Sequence, residues 1–351
     1  MASKPIFPYE WEMKSGYPAT GIEKHGKKCF GTFICGGGST MGYKLAGYDH
    51  LGGVELDPEI AGIYKTNHNP KYLFTQDLRD FNKRTDLPDE LYQLDLLDGS
   101  PPCSTFSMTG SREDAWGKEK KFAEGQKLQT LDDLVFVYCD TIVKLQPKTF
   151  ILENVSGMLK GNAKAYTKAV VQRLKEQGYV SQIFLLNGAT MGLPQMRERA
   201  FIIGHKSKYN FAPLQLKFDC EPIVFGKVRE TLGYCNLTDY QYSLWKKRRK
   251  SDLAFGDVIM REEKRLSMFT NPIIQDNRVA PTITSTGVGT HTLYAEPRRL
   301  SRLELCRVGS FPTDYIASVE KLGWLIGMSV PPLMAANISY QIYKQWLSKI
   351  E

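Results

Sequence analysis

The 351-residue sequence has no unbroken apolar run of the ~18 residues that a membrane-spanning helix needs, so no membrane contact is expected. Its opening ten residues also hold no apolar stretch of signal-peptide length, and a cytoplasmic location is the expectation. Paired cysteines are missing too. Seven cysteines stand at 29, 35, 103, 139, 220, 235 and 306, never as Cys-x-x-Cys, which argues against a disulfide scaffold or a zinc site. Reduced thiols and no bound metal are expected. No internal repeat and no low-complexity tract is evident. What is present is ordinary: 42% hydrophobic and 24% charged residues exclude a mainly disordered, collagen-like or coiled-coil chain and leave apolar mass for a sizeable core. Lys and Arg exceed Asp and Glu by 46 to 38, a net +8 compatible with a polyanionic partner.

The first half alternates short apolar runs with stretches of helical spacing. Strands are expected over 29–34, 52–55, 94–97, 149–152, 181–186 and 200–203, and helices over 41–46, 58–66, 128–145 and 163–177. That alternation predicts parallel βαβ units, an α/β fold whose ligand site lies at the carboxyl ends of the strands. From about 206 to 297 the alternation is lost, and a smaller domain of irregular or β-rich structure is expected there. The tail from 322 to 349, after Val330-Pro331-Pro332, reads as helical again.

Four motifs carry chemistry. Phe33-Ile34-Cys35-Gly36-Gly37-Gly38 follows one strand and opens a helix, and Glu55 ends the next strand about 20 positions on, where nucleotide-type folds hold a ribose hydroxyl. Asp77, after a third strand-like run, is a candidate acceptor for an adenine amino group. Leu96 to Ser107 reads Leu-Leu-Asp-Gly-Ser-Pro-Pro-Cys-Ser-Thr-Phe-Ser and puts Cys103 just past a strand end, stiffened by two prolines, where a thiolate would be an exposed nucleophile. An inert buried cysteine is the plainer reading. Glu153-Asn154-Val155 ends another apolar strand in a carboxylate able to hold a proton if burial raised its pKa. Gln195-Met196-Arg197-Glu198-Arg199 is either a solvated basic turn or two arginines pointing the same way along an extended segment.

In this order the motifs resemble the cytosine-C5 DNA methyltransferase family nearly end to end. Late matches are Arg299-Leu300-Ser301 with Glu304, Arg307 and Phe311-Pro312, then Gly327-Met328-Ser329-Val330-Pro331-Pro332. Three positions depart from the family's usual residues: Cys35 stands for a glycine, Met328 for an asparagine, and Ser104 where glutamine is common. The first two are expected to bear on cofactor affinity.

The resemblance implies a Rossmann-like class I methyltransferase domain with a mostly parallel sheet (1–205 and 313–351) and a target recognition domain (206–312). It implies a nucleophilic Cys103 that adds to cytosine C6, Glu153 at N3, Arg199 at the C2 carbonyl and Arg197 in support. S-adenosylmethionine would be seated by Phe33, Gly36, Gly37, Glu55, Leu56, Asp77, Leu78, Pro102 and Ser329. Double-stranded DNA is the implied partner, with the target base flipped out of the duplex. Ser104, Ser107, Arg112, Lys118 and Gln195 are expected on the DNA, and 104–126 as a closing loop. A monomer is expected, in a restriction-modification setting where a cognate endonuclease acts separately. The run Lys246-Lys247-Arg248-Arg249-Lys250 is expected on phosphates or in solvent. Rival readings are a transfer-RNA cytosine-5 methyltransferase sharing the same catalytic residues, a catalytically impaired DNA-binding homologue, and a nicotinamide-dependent oxidoreductase that shares only the glycine loop.

Overall fold

The structure, a computed structural model, describes residues 4–102, 134–161, 163–265, 271–285 and 291–350. Its elements run β1 (Lys28–Thr32), α1 (Gly38–Leu45), β2 (Asp49–Glu55), α2 (Pro58–His68), β3 (Tyr72–Thr75), α3 (Leu78–Lys83), β4 (Leu96–Gly99), α4 (Leu134–Leu145), β5 (Thr149–Val155), α5 (Ala163–Glu176), β6 (Tyr179–Asn187) and β7 (Glu198–Lys206). Next come α6 (Asp239–Lys246), α7 (Phe255–Glu263), β8 (Ile273–Ile274), β9 (Thr292–Leu293), α8 (Arg302–Gly309), α9 (Val319–Met328) and α10 (Pro332–Gln345). The first seven strands form one sheet in the order β3-β2-β1-β4-β5-β7-β6. β1 to β5 pair in parallel, while β7 runs antiparallel to both β5 and β6.

The central strands are apolar because both faces are covered: every residue of β4 and all but the last of β5 are buried. Phe30, Phe81, Leu97, Tyr138 and Phe150 anchor the core around them. Helix starts follow local capping chemistry. The Asp57 carboxylate accepts from the Glu59 and Ile60 amides with Pro58 at the first helical position, and Asp77 accepts from the Arg79 amide. The helix expected over 163–177 is α5, the strands expected over 29–34, 52–55, 149–152, 181–186 and 200–203 overlap β1, β2, β5, β6 and β7, and the one expected over 94–97 is displaced to Leu96–Gly99. The expected helix over 128–145 is found as α4 from Leu134; its first six positions lie outside the described residues.

The described chain divides into two compact units. One comprises Tyr17–Asn187, Glu198–Lys217 and Ala335–Glu351, and holds the large sheet; the other comprises Met1–Gly16, Gly188–Arg197 and Phe218–Met334. Residues 188–197 join the second unit because Gln195 bridges to Ala280 and the Met196 amide donates to the Ala280 carbonyl. The expected irregular segment is irregular rather than β-rich: among its described residues, strands are limited to the two-residue pair β8–β9, beside helices α6 and α7. The stretch Val319–Lys349 is apolar enough in composition to cross a membrane, but 83% of that window is buried in the fold, as for core helices.

Candidate active site

The glycine loop is built from unusual backbone. Phe33 (φ 55°), Cys35 (φ 47°) and Gly37 (φ 81°) all adopt the left-handed region within five residues. Only glycine does so freely; Phe33 and Cys35 each carry a penalty of ~1–2 kcal/mol, the kind of local strain that concentrates at functional loops. The Ile34 amide donates to the Val54 carbonyl at 3.3 Å, and the Gly37 amide closes a turn onto the Ile34 carbonyl at 2.8 Å. Beneath the loop, His68 of α2 donates from Nε2 to the Gly36 carbonyl at 3.1 Å. Burial pushes this imidazole down to about 3, so it is neutral at physiological pH. A Cβ on Gly37 would lie 2.2 Å from His68 Nε2, so the loop and the ring leave no room for a side chain there.

Glu55 ends β2 next to this turn. Its Oε2 accepts from the Cys35 amide at 2.9 Å and its Oε1 from the Asp57 amide at 3.0 Å. Burial raises its pKa against the pull of these backbone donors. A carboxylate offers roughly four acceptor positions, so capacity remains for a sugar hydroxyl. Asp77 caps α3 and also pairs with Arg79 Nη1 at 3.1 Å. Leu56 is half-buried and Leu78 buried. A side-chain-free turn, a carboxylate at the next strand end and a second carboxylate at the third fit a nucleoside-bearing ligand such as S-adenosylmethionine.

β4 and β5 end side by side. Gly99 of β4 pairs with Leu152 of β5, so the chain leaving Gly99 through Ser100-Pro101-Pro102 starts beside Glu153. Asn154 Nδ2 donates to the Pro101 carbonyl at 3.3 Å and holds that exit. Cys103 itself, with Ser104, Ser107, Arg112, Lys118 and the expected closing loop, lies outside the described residues. On the other side of β5, Phe201 pairs with Glu153 and Arg199 with Val155. Strand alternation puts Arg199 on the same face as Glu153, and Arg199 Nε meets Glu153 Oε1 at 3.1 Å, both side chains largely shielded. A guanidinium so placed can hold a carboxylate and present its remaining N–H groups to a carbonyl oxygen.

The other expected residues lie elsewhere. Arg197 is fully buried in the second unit, with Nη1 donating to the Ile283 carbonyl and Nη2 to those of Gly327 and Ser329 at 2.9, 2.8 and 2.7 Å. It clamps backbone around Met328, whereas Arg199, two residues on, belongs to the sheet unit. Ser329 is buried at the end of α9. Gln195 was expected on DNA but is fully buried; its amide donates to the Val308 carbonyl and accepts from the Ile283 amide. Its polar atoms are spent on backbone inside the unit, not on an open surface. Of the basic run, Arg248 is half-buried: its guanidinium lies 3.4 Å from the Trp245 ring centroid and 4.6 Å from that of Tyr294. Lys246, Lys247, Arg249 and Lys250 are exposed.

One buried carboxylate lies outside the expected site residues. Asp98 of β4 is buried, and its carboxylate accepts from Ser39 Oγ and Tyr43 OH, both at 2.7 Å. An aspartate inside Leu96-Leu97-Asp98 was the available signal, since charge in a buried strand is costly.

A family profile described as C-5 cytosine-specific DNA methylase matches residues 28–344. The chain is 26% identical over 351 aligned residues to the Type II methyltransferase M.FnuDI of Fusobacterium nucleatum, covering 90% of this chain and 94% of that one. It is 26% identical over 347 residues to M.NgoPII of Neisseria gonorrhoeae, covering 88% and 93%. In fold it is similar to a prophage-encoded E. coli protein described as a DNA modification methyltransferase (TM-score 0.67, 17% identity, 91% of this chain and 99% of that one). It is also similar to a Spodoptera frugiperda DNMT2 mutant (TM-score 0.62, 15% identity, 90% and 99%). With its glycine loop, its Pro-Pro-Cys strand exit and its paired Glu153 and Arg199, the chain belongs to the C-5 cytosine-specific DNA methylase family and is a DNA cytosine-5 methyltransferase.

Proposed function

We propose that the chain methylates C5 of a cytosine flipped out of a specific duplex DNA sequence, with Cys103 as the nucleophile. C5 in the intact ring is a poor nucleophile. Addition of the Cys103 thiolate to C6 makes C5 enamine-like, and Glu153 at N3 together with Arg199 at the C2 oxygen offsets the charge that develops in the ring. S-adenosylmethionine, when bound, supplies an electrophilic methyl group. Phe33, Gly36, Gly37, Glu55, Leu56, Asp77, Leu78, Pro102 and Ser329 are the residues we assign to holding it. Loss of the C5 proton then breaks the C6–sulfur bond and restores the thiolate.

The observation that carries this reading is the Glu153–Arg199 pair at 3.1 Å, at the strand end next to the one that feeds Cys103. A base within the duplex is out of reach of such a site, so flipping is required, at a cost of a few kcal/mol that protein contacts offset. We assign residues 206–312 to target recognition, with Lys246, Lys247, Arg249 and Lys250 on phosphates. Arg197 is a backbone clamp in this scheme. Monomeric action alongside a separate endonuclease completes the proposal.

The test is incorporation of labelled methyl groups into unmethylated genomic DNA and, in parallel, into total RNA. Transfer to DNA, lost in Cys103→Ala while DNA binding persists, is expected. Full turnover by Cys103→Ala, or transfer to RNA alone, would overturn the proposal.

A further inference from the structure

We propose that Asp98 is a positioning residue that ties the start of α1, and with it the glycine loop, to the end of β4, and so sets where that loop stands for the methyl donor. This rests on the functional reading above.

The sequence places a carboxylate in a strand that is otherwise apolar and wholly buried. The pleat decides where it points. A Cβ on Gly99 would meet the Tyr138 ring of α4, so Asp98, one residue earlier, faces the opposite side of the sheet, toward α1. There its two oxygens are taken separately: Oδ2 accepts from Ser39 Oγ and Oδ1 from Tyr43 OH. Ser39 and Tyr43 are four residues apart on α1, one above the other on the same helix face. Gripping both fixes the helix in rotation as well as along its axis. The Asp98 carbonyl adds a third tie, accepting from Thr32 Oγ1 at the end of β1 at 3.1 Å.

Both reactive segments adjoin this carboxylate. Gly36-Gly37-Gly38 runs directly into Ser39, and Ser100-Pro101-Pro102 runs directly from Gly99 to Cys103. The two prolines have fixed φ, so the strand exit has little freedom to absorb a shift of α1. Asn154 holds the same exit from β5 through the Pro101 carbonyl. The clamp therefore ties three strand ends and one helix start into a single frame.

A purely structural role accounts for Asp98 poorly. Burial raises the carboxyl to about 6, and the charge of Glu153, two residues beyond the Ile151 that pairs with Asp98, pushes in the same direction. The hydroxyls of Ser39 and Tyr43 and the Gly99 amide oppose that rise without cancelling it. Tyr64, Tyr138 and Cys29 are further titratable neighbours among the described residues. An apolar side chain here would cost the fold less. Residues kept against stability are characteristic of functional sites.

The full-length chain and the variants Asp98→Asn, Ser39→Ala and Tyr43→Phe are compared in two measurements: calorimetric binding of S-adenosylhomocysteine, and single-turnover methylation of unmethylated genomic DNA. A lost hydrogen bond to a charged group corresponds to roughly ten-fold, so affinity or rate should fall by about that factor in Ser39→Ala and Asp98→Asn. DNA affinity should hold. Ser39→Ala combined with Asp98→Asn should be no worse than Asp98→Asn alone. Unchanged binding and rate in all variants, or additive losses that track thermal stability alone, overturn the clamp. If Asp98→Asn does not fold, Tyr43→Phe removes a single hydroxyl and decides the matter. A wild-type chain that binds S-adenosylhomocysteine but methylates no DNA overturns the functional reading only, because the binding comparison still tests the clamp.

Discussion

Gly37→Ala tests how the glycine loop is built. Two separate penalties meet at this residue. Its backbone sits at φ 81°, where a Cβ costs ~1 kcal/mol. The added carbon would also lie 2.2, 2.7 and 3.0 Å from three atoms of the His68 ring. That ring cannot easily give way: it is buried, hydrogen-bonded to the Gly36 carbonyl, and its centroid is 4.6 Å from that of Tyr64. Overpacking against such a neighbour costs ~1–3 kcal/mol, for a total of ~2–4 kcal/mol. Removing the ring should remove the second penalty alone. In a His68→Ala background, Gly37→Ala should therefore cost only ~1 kcal/mol. Urea unfolding of the four chains, followed by circular dichroism, gives both numbers. An equal cost in the two backgrounds would show that the ring is not what excludes a side chain, and the packing argument would be wrong.

Asp98 predicts a pH signature. Its carboxyl titrates near 6 in the fold against an ordinary 3.8, so the folded state binds the extra proton between these values. Stability falls as pH rises through that window, and at neutral pH the charged form costs ~3 kcal/mol. Asp98→Asn should be more stable than wild type above pH 6 by ~1–3 kcal/mol and lose that advantage near pH 4, which urea titrations at both pH values check. Replacing Lys246, Lys247, Arg249 and Lys250 by glutamine should weaken DNA binding and reduce the log–log salt slope by up to ~3.6, at ~0.9 per phosphate contact; an unchanged slope in fluorescence anisotropy would take these residues off the phosphates. Met328 is 44% exposed between two carbonyls fixed by Arg197, so Met328→Asn should alter the side chain and leave the backbone in place. It is expected to tighten S-adenosylhomocysteine binding, and calorimetry checks this.

Much of the sheet unit was legible because its signals are local. Apolar runs such as 149–152 and 200–203 have no other stable home than a covered strand, and Asp57-Pro58 announces a helix start. The antiparallel turn of β7 was less visible, since strand direction follows from connections rather than composition. The second unit also carries local signals. Thr238 with Gln241 and Ser301 with Glu304 are capping boxes that open α6 and α8. The fates of Gln195 and Arg197 could not be read locally. Both are polar residues whose partners at 283, 308, 327 and 329 are more than 80 positions away, so their burial is decided by tertiary structure. Arg199, in the same motif, went to Glu153 because strand register carried it there. Asp98 carries a local signal, a charge inside an apolar strand, but its donors Ser39 and Tyr43 lie more than 50 positions away.

A transient bond between Cys103 and the target ring can be trapped on duplex DNA carrying 5-fluorocytosine in the methylated position. Fluorine cannot depart as a proton does, so after methyl transfer the complex should remain joined and survive denaturant, with mass spectrometry locating the modified nucleotide on Cys103. Complete methylation chemistry with no such adduct, or an adduct on another residue, would contradict the account.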